Sequence, residues 1–380
     1  VARPAERRVG ARRYPRRWVT AKPTAAAGAG LFSVATLNLE GDVARDPQRL
    51  AGLRADGARL GEDANGCDQA LRGALSRRPD VLCLQELQRC RFEQRGCAYC
   101  ARGACRTNHA ARLHARLSGR EGYDGDYKKD GKDLTVGVYF RRAVFESVHV
   151  AFVTFASEKG AAVAVLRHRT TGRLICVASV HLDVPLHRGV PHTTDQVASL
   201  KKLRRKIDQL LLHPKNAAAG ARPGSTPVVL AGDFNTLPYK SWDPAIAPPD
   251  AYAEMLRDGD VASAYADVQG AEPCYTSVDP RFLHCLDYVF YSKLLLRPTA
   301  VLAVVDDRKK LPSRPWPSDH LPLVARFELP PAAPPKADAP AWAPRAVCAF
   351  GDQCFYHAQG RCRNYHPAPP RSALQDRNSE

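Results

Sequence analysis

The sequence predicts an α/β fold with a single active edge, and three observations predict it. Apolar, strand-prone runs recur along the chain. Helical or loop stretches separate them, and one run after another closes on a polar residue. Alternating strands and helices build a sheet whose strand ends gather at one side. The clearest run is 228–235, Val-Val-Leu-Ala-Gly-Asp-Phe-Asn. Asp233 and Asn235 stand two apart, a spacing that on an extended chain puts both side chains on one side. The other reading is an Asx-rich turn after a strand.

A chain of 380 residues is long enough for one large domain and an appendage. Hydrophobic residues make up 44%, so a sizeable core is available. The net charge of +17 is spread unevenly: residues 1–30 hold eight Lys/Arg against one Glu, residues 331–380 hold six against four, and +8 remains for 31–330. A basic body around acidic strand ends suits a polyanionic substrate held through a cation. No apolar run approaches the roughly 18 residues of a membrane span. Cys83 and Cys176 lie inside apolar runs and read as small hydrophobes in a reducing compartment.

Residues 1–30 are rich in Arg, Ala and Pro without periodicity, so a basic disordered tail is expected. Their composition permits an organelle transit peptide, although no Ser precedes Leu31. The cytoplasm or nucleus is the expected location. Residues 32–39 alternate as a strand ending beside Asn38, and 47–78 read as helix broken at 61–68. Residues 80–86 form a buried strand ending on Glu86; an acid that closes an apolar strand needs a partner, and a divalent cation is the usual one.

Cys97, Cys100, Cys105 and His109 have compact metal-ligand spacing, and the alternative is a loop of free thiols. A helix is expected over 109–120 and strands over 134–140 and 144–154. Leu174–His181 is a third apolar strand with a polar end. Residues 195–212 carry Leu200, Leu203, Ile207, Leu210 and Leu211 on one helical face and Lys/Arg on the other. After the 228–235 run, a strand over 286–291 carries Asp287 near its start. The loop Pro317-Ser318-Asp319-His320 leads into a strand over 321–327. The Pro/Ala-rich residues 331–346 read as a stiff linker, which bounds a body at 31–330.

The polar strand ends are Asn38, Glu86, His181, Asp233, Asn235, Asp287, Asp319 and His320. Phosphodiester hydrolysis uses these residue types. One carboxylate holds Mg²⁺ (or Mn²⁺), another orients water, amide and imidazole donors face the phosphate, and a His–Asp pair fixes an imidazole.

Here the chain resembles the endonuclease/exonuclease/phosphatase superfamily over roughly residues 31–330. The carrying segments are Leu37-Asn38, Leu84-Gln85-Glu86, Ser179-Val180-His181-Leu182, Gly232-Asp233-Phe234-Asn235, Asp287-Tyr288 and Ser318-Asp319-His320, in the family's order. The resemblance is nearest to the deadenylase branch that includes nocturnin and angel, through residues 232–238, 285–292 and 317–323. It departs at Asp133-Leu-Thr-Val-Gly137 and in the cysteine-rich 90–105 stretch. The resemblance implies a DNase I-like, four-layer αββα sandwich and a Mg²⁺-dependent reaction. It implies Glu86 as principal metal ligand with Asn38 beside it and Asp319 near the metal. His181 and Asn235 would contact the phosphate, Asp233 would position or deprotonate water, and Asp287 would orient His320 at the scissile phosphate.

Cys348, Cys354, Cys362 and His366, over 347–367, resemble the short CCCH zinc fingers of polyadenosine-RNA-binding proteins. Zn²⁺ would fold such a coreless segment. Phe350, Tyr356, Arg361 and Tyr365 interleave with the ligands and suit stacking on single-stranded bases. A short tail, 368–380, follows. The expected activity is 3′–5′ exoribonuclease action on single-stranded RNA or mRNA poly(A). The alternatives are a phosphatase or phosphodiesterase of a small metabolite or inositol phosphate, and an inactive RNA-binding scaffold.

Overall fold

The computed structural model describes residues 18–20, 30–39, 66–89, 108–128, 134–155, 159–184, 186–187, 190–191, 196–238, 250–278, 283–304, 311 and 318–329. The chain divides into two units, Val1–Pro331 and Ala332–Glu380. The second unit lies outside the described residues, and with it the linker, Cys348, Cys354, Cys362, His366, Phe350, Tyr356, Arg361 and Tyr365. So do Cys97, Cys100 and Cys105.

In chain order the strands are β1 (Trp18–Thr20), β2 (Leu31–Asn38), β3 (Val81–Gln88), β4 (Tyr123–Tyr127), β5 (Leu134–Arg141), β6 (Phe145–Thr154), β7 (Gly160–His168) and β8 (Leu174–His181). There follow β9 (Leu186–His187), β10 (Val190–Pro191), β11 (Val228–Asp233), β12 (Val261–Ser263), β13 (Ser277–Val278), β14 (Leu283–His284), β15 (Asp287–Ser292), β16 (Arg297–Leu302) and β17 (Leu323–Glu328). The helices are α1 (Gly66–Leu75), α2 (His109–Gly119), α3 (Gln196–Leu212), α4 (Pro214–Ala218), α5 (Asp250–Leu256) and α6 (Ala264–Gln269).

Two mixed sheets face each other. One has seven strands in the order β1-β16-β17-β2-β3-β5-β4, and the other six in the order β12-β15-β11-β8-β7-β6. Strand periodicity explains the layering. In β8, Ile175 and Val177 join the core between the sheets, while Cys176, Ala178 and Val180 pack outward with Leu200, Leu203 and Ile207 of α3. In β2, Phe32 and Val34 point between the sheets, and Ala35 and Leu37 point outward among Leu113 and Leu117 of α2. Strands buried on both faces read as unbroken apolar runs rather than as alternating ones. The result is the αββα sandwich. No helix among the described residues is long and apolar enough to cross a membrane.

Each sheet has a parallel pair at its centre, β2 with β3 and β8 with β11. Parallel pairing carries both C-terminal ends to the same edge. β15 runs antiparallel to β11, so its first residue, Asp287, pairs with Asp233 at that edge. Gly232 makes the β8–β11 approach possible, because a Cβ there would lie 1.9 Å from Val180 O. Gly232→Ala is expected to cost about 3 kcal/mol or more and to lower the melting temperature by roughly 6–12 °C. An unchanged melt would refute the close-approach argument.

Four expectations need correction. Within the tail expected to lack structure, Trp18–Thr20 pairs antiparallel with Ala300–Leu302 as an edge strand; the backbone partners come from a distant part of the chain. The helix break expected at 61–68 ends early, since α1 already starts at Gly66. β3 continues past Glu86 to Gln88 instead of ending on it. The 228–235 run is strand only to Asp233. Asn235 then adopts φ 46°, and its N–H donates to Asp233 Oδ1 at 2.9 Å. The Asx turn, not an extended chain, brings these two residues together.

Candidate active site

The inward-facing series of each central strand starts apolar and turns polar toward one edge. In β2 it runs Val34, Thr36, Asn38; in β8 Ile175, Val177, Ser179, His181; in β11 Val229, Ala231, Asp233. Below the rim, Thr36 Oγ1 donates to Gln85 Oε1 at 3.1 Å, Gln85 Nε2 to Ser179 Oγ at 2.9 Å, and Ser179 Oγ to Leu84 O at 3.1 Å. This buried, satisfied network fixes the gap between the sheets just beneath the site.

Glu86 breaks the alternation. Leu82 and Leu84 face outward, so an even-numbered residue of β3 belongs toward the helix layer. A bulge between Leu84 and Leu87 and a φ of 55° at Glu86 turn its carboxylate back, to 3.8 Å from His181 Nε2. Re-aiming one side chain is what a bulge does, and a left-handed non-glycine residue is strain stored at the site.

Asp233 lies at the centre and is buried. Its Oδ2 accepts from Asn38 Nδ2 at 3.0 Å and sits 3.5 Å from His181 Nε2 and 4.0 Å from His320 Nε2. Asn235 Nδ2 donates to Leu182 O at 2.9 Å; an amide nitrogen has a second hydrogen to offer a ligand. Gln196, at the start of α3, donates Nε2 to Asp183 O and Asn235 O at 2.6 and 2.9 Å, pinning both loops.

On the opposite side, His320 Nδ1 lies 2.8 Å from Asp287 Oδ2. The second oxygen of Asp287 is buried and has no hydrogen-bond partner among the described residues. Thr276 Oγ1 accepts from the N–H groups of Leu286 and Asp287, both at 2.9 Å, and so sets the start of β15. Ser318 Oγ donates to Asn38 O at 2.8 Å and accepts from His320 N at 3.0 Å, tying the histidine loop to the end of β2. Asp319, partly exposed, has Oδ1 3.8 Å from His320 Nε2.

Burial dominates the charge states. It raises the pKa of Glu86, with Lys159 and His320 pulling partly the other way. It raises that of Asp233 likewise, opposed by His320 and reinforced by Asp287. A buried carboxyl with a raised pKa is suited to taking a proton from water. Burial, then Lys159 and His320, hold His181 well below the ordinary histidine range, so its ring is neutral. Burial alone would depress His320 too, but Asp287, Asp319 and Asp233 outweigh it and hold this imidazole well above that range. Two histidines on one edge thus carry opposite charge states.

All eight sequence-selected residues, Asn38, Glu86, His181, Asp233, Asn235, Asp287, Asp319 and His320, come to this edge. Sequence reading missed Lys159, whose Nζ lies 2.7 Å from His181 Nε2, and the positioning residues Thr276, Ser318 and Gln196. Only Ser318 carried a signal, its place in the Ser-Asp-His triplet. His109 opens α2 and is buried; its expected cysteine partners are not among the described residues. Among the described residues no three His, Cys, Asp or Glu side chains close around one point. Mg²⁺ asks for less, since it takes one or two carboxylates and keeps several waters. Glu86 with Asn38, in a cluster holding three further carboxylates, fits that demand.

A family model described as Endonuclease/Exonuclease/phosphatase family matches residues 35–320. The chain is 30% identical over 280 residues to nocturnin of Drosophila melanogaster, covering 67% of this chain and 40% of that protein. It is 24% identical over 301 residues to the CCR4-Not complex 3′-5′-exoribonuclease subunit Ccr4 of Kluyveromyces lactis, covering 66% of this chain and 35% of that one. The chain therefore spans less than half the length of these two relatives. The fold matches the human nocturnin catalytic domain, solved with a bound sulfate anion, with a TM-score of 0.56, 22% identity, and coverage of 84% of this chain and 98% of that one.

Proposed function

Because the chain belongs to the endonuclease/exonuclease/phosphatase family, hydrolases of phosphate esters, we propose that it is a divalent-metal-dependent 3′–5′ exoribonuclease acting on single-stranded RNA, with poly(A) preferred. The observation that carries this reading is the opposed pair of centres at one edge, a buried carboxyl of raised pKa at Asp233 and an imidazolium at His320, 4.0 Å apart. A base for water and an acid for a leaving or bridging oxygen are what phosphodiester hydrolysis requires.

Glu86 and Asn38 would hold Mg²⁺ or Mn²⁺, with Asp319 nearby; when bound, the ion polarises the phosphoryl oxygens and offsets developing charge. Asp233, fixed by Asn38 and by the Asn235 N–H, orients water and takes its proton. Asn235 offers its second amide hydrogen to the phosphate. Asp287 holds His320 charged and aimed, so that its Nε2–H faces the scissile phosphate. The exoribonuclease named among the relatives supports RNA as substrate. The basic body supplies attraction to any phosphate backbone, which leaves base preference to the finger at Cys348, Cys354, Cys362 and His366, with Phe350, Tyr356, Arg361 and Tyr365 stacking on bases and Zn²⁺ folding it. The proposed location is the cytoplasm or nucleus.

The test is full-length protein with Mg²⁺ on 5′-labelled RNA ending in A20 or in mixed sequence. Stepwise shortening from the 3′ end, faster on the A-tract, is expected. Deleting 345–380 should raise KM on the long A-tailed RNA and leave kcat on a short oligonucleotide nearly unchanged. Indifference to RNA, with phosphate released from an inositol phosphate or a dinucleotide cofactor, would replace this reading with the metabolite phosphatase.

A further inference from the structure

On the premise of the phosphoester hydrolase proposed above, we infer that Lys159 is the phosphate-binding cation of this site, and that His181 is its positioning residue rather than the phosphate donor.

The placement of Lys159 is built by the sheet. β6 and β7 form an antiparallel ribbon that closes at Thr154 and Gly160, and Phe155 N donates to Lys159 O at 2.8 Å. The next residue, Gly160, pairs with His181 on β8. Lys159 is therefore delivered to the rim beside His181 by strand register alone. Gly160 is required for this, since a Cβ there would meet Val153 O at 2.1 Å.

Hydrogen-bond chemistry then decides which group faces the substrate. A lysine ammonium has three donors and no acceptor. With Nζ 2.7 Å from His181 Nε2, the imidazole nitrogen accepts. The ring proton consequently resides on Nδ1, and the Nε2 edge, which also looks toward Glu86 and Asp233 at 3.8 and 3.5 Å, has no hydrogen to give a phosphate. One of the three ammonium donors is spent on His181. The others serve the tetrahedral phosphodiester monoanion entering between the two sheets, with Asn235, in the turn after β11, supplying a neutral donor. A flexible stem carrying a compact charge suits a phosphate whose position shifts along the reaction. The ammonium also places one positive charge inside a cluster of four carboxylates, which offsets repulsion between those acids and an incoming phosphate.

Full-length Lys159→Met and Lys159→Arg, with melting curves confirming the fold, test this. Two readouts are taken in Mg²⁺: turnover of a short RNA oligonucleotide, and calorimetric binding of orthovanadate. Lys159→Met is expected to lose about 10²-fold in kcat/KM and to bind orthovanadate at least about tenfold more weakly, while Lys159→Arg recovers part of both. Nitrogen-15 spectra of His181 should place the ring proton on Nδ1 in the wild type, a signature that a merely packing role for Lys159 would not require. Wild-type turnover and vanadate affinity in Lys159→Met, or a proton on Nε2 of His181 in the wild type, would overturn the assignment. If the wild type cleaves no phosphoester, the functional reading fails by itself, and equal vanadate affinity in wild type and Lys159→Met then decides against Lys159 separately.

Discussion

Glu86→Gln is expected to reduce phosphodiester hydrolysis about 10³-fold, the loss of several kcal/mol of charge stabilisation, and at the same time to make the folded protein more stable. Both effects come from one geometry. The bulge at Leu84/Leu87 turns Glu86 into a partly buried cluster that already contains Asp233 and Asp319. A carboxylate there binds a hard cation through its charge, and glutamine keeps the shape while losing it. Without metal the same charge opposes folding. Burial first, then Asp319 and Asp233, raise the folded pKa of Glu86 above its unfolded value. A group so shifted contributes stability that is fully present below the unfolded value, about pH 4.3, and lost as pH rises through the folded value. In EDTA the wild type should therefore lose melting temperature on going from acid toward neutral pH, and Glu86→Gln should lose less. Near wild-type turnover in the variant at low millimolar Mg²⁺ would remove Glu86 from the metal. A lower melting temperature than wild type at neutral pH would remove the electrostatic account of its burial.

The second large effect is expected at the His320–Asp287 pair. Asp287→Asn should lower kcat by about 10²-fold or more with little change in KM, because Asp287 sits behind the imidazole. Its Oδ2 is 2.8 Å from His320 Nδ1, on the ring edge away from Asp233. The pH profile is the sharper readout. Burial pulls His320 down, and the carboxylates of Asp287, Asp319 and Asp233 hold it well above the usual range. Removing the nearest carboxylate lets burial win, so the alkaline limb of the rate profile should move to lower pH. A variant with reduced rate and an unmoved alkaline limb would mean that His320 is not the acid. The same substitution leaves Thr276 free to cap the start of β15, so the fold should survive.

The sequence by itself determined the strands that feed the site and the polar residue each delivers, but not β4, β7 or β16. Runs such as Leu174–His181 are apolar on both faces because both faces are covered, and that composition is readable without coordinates. So is the change to a polar residue at the end of each inward-facing series, since period-two alternation is a property of the chain. The Ser-Asp-His and Gly-Asp-Phe-Asn segments were readable for the same reason: their side chains act within a few residues of each other. The tertiary structure alone decided what depends on a partner far along the chain. Glu86 faces the site through a bulge opposite β5, against the alternation its own strand imposes. Trp18–Thr20 is a strand only because β16 offers an edge. Lys159 stands in an unremarkable loop, and register between β7 and β8, set by Gly160 opposite His181, makes it part of the site. Hydrogen-bond partners and desolvation are set by the fold, so the opposite charge states of His181 and His320 belong to the tertiary structure, while the two histidines belong to the sequence.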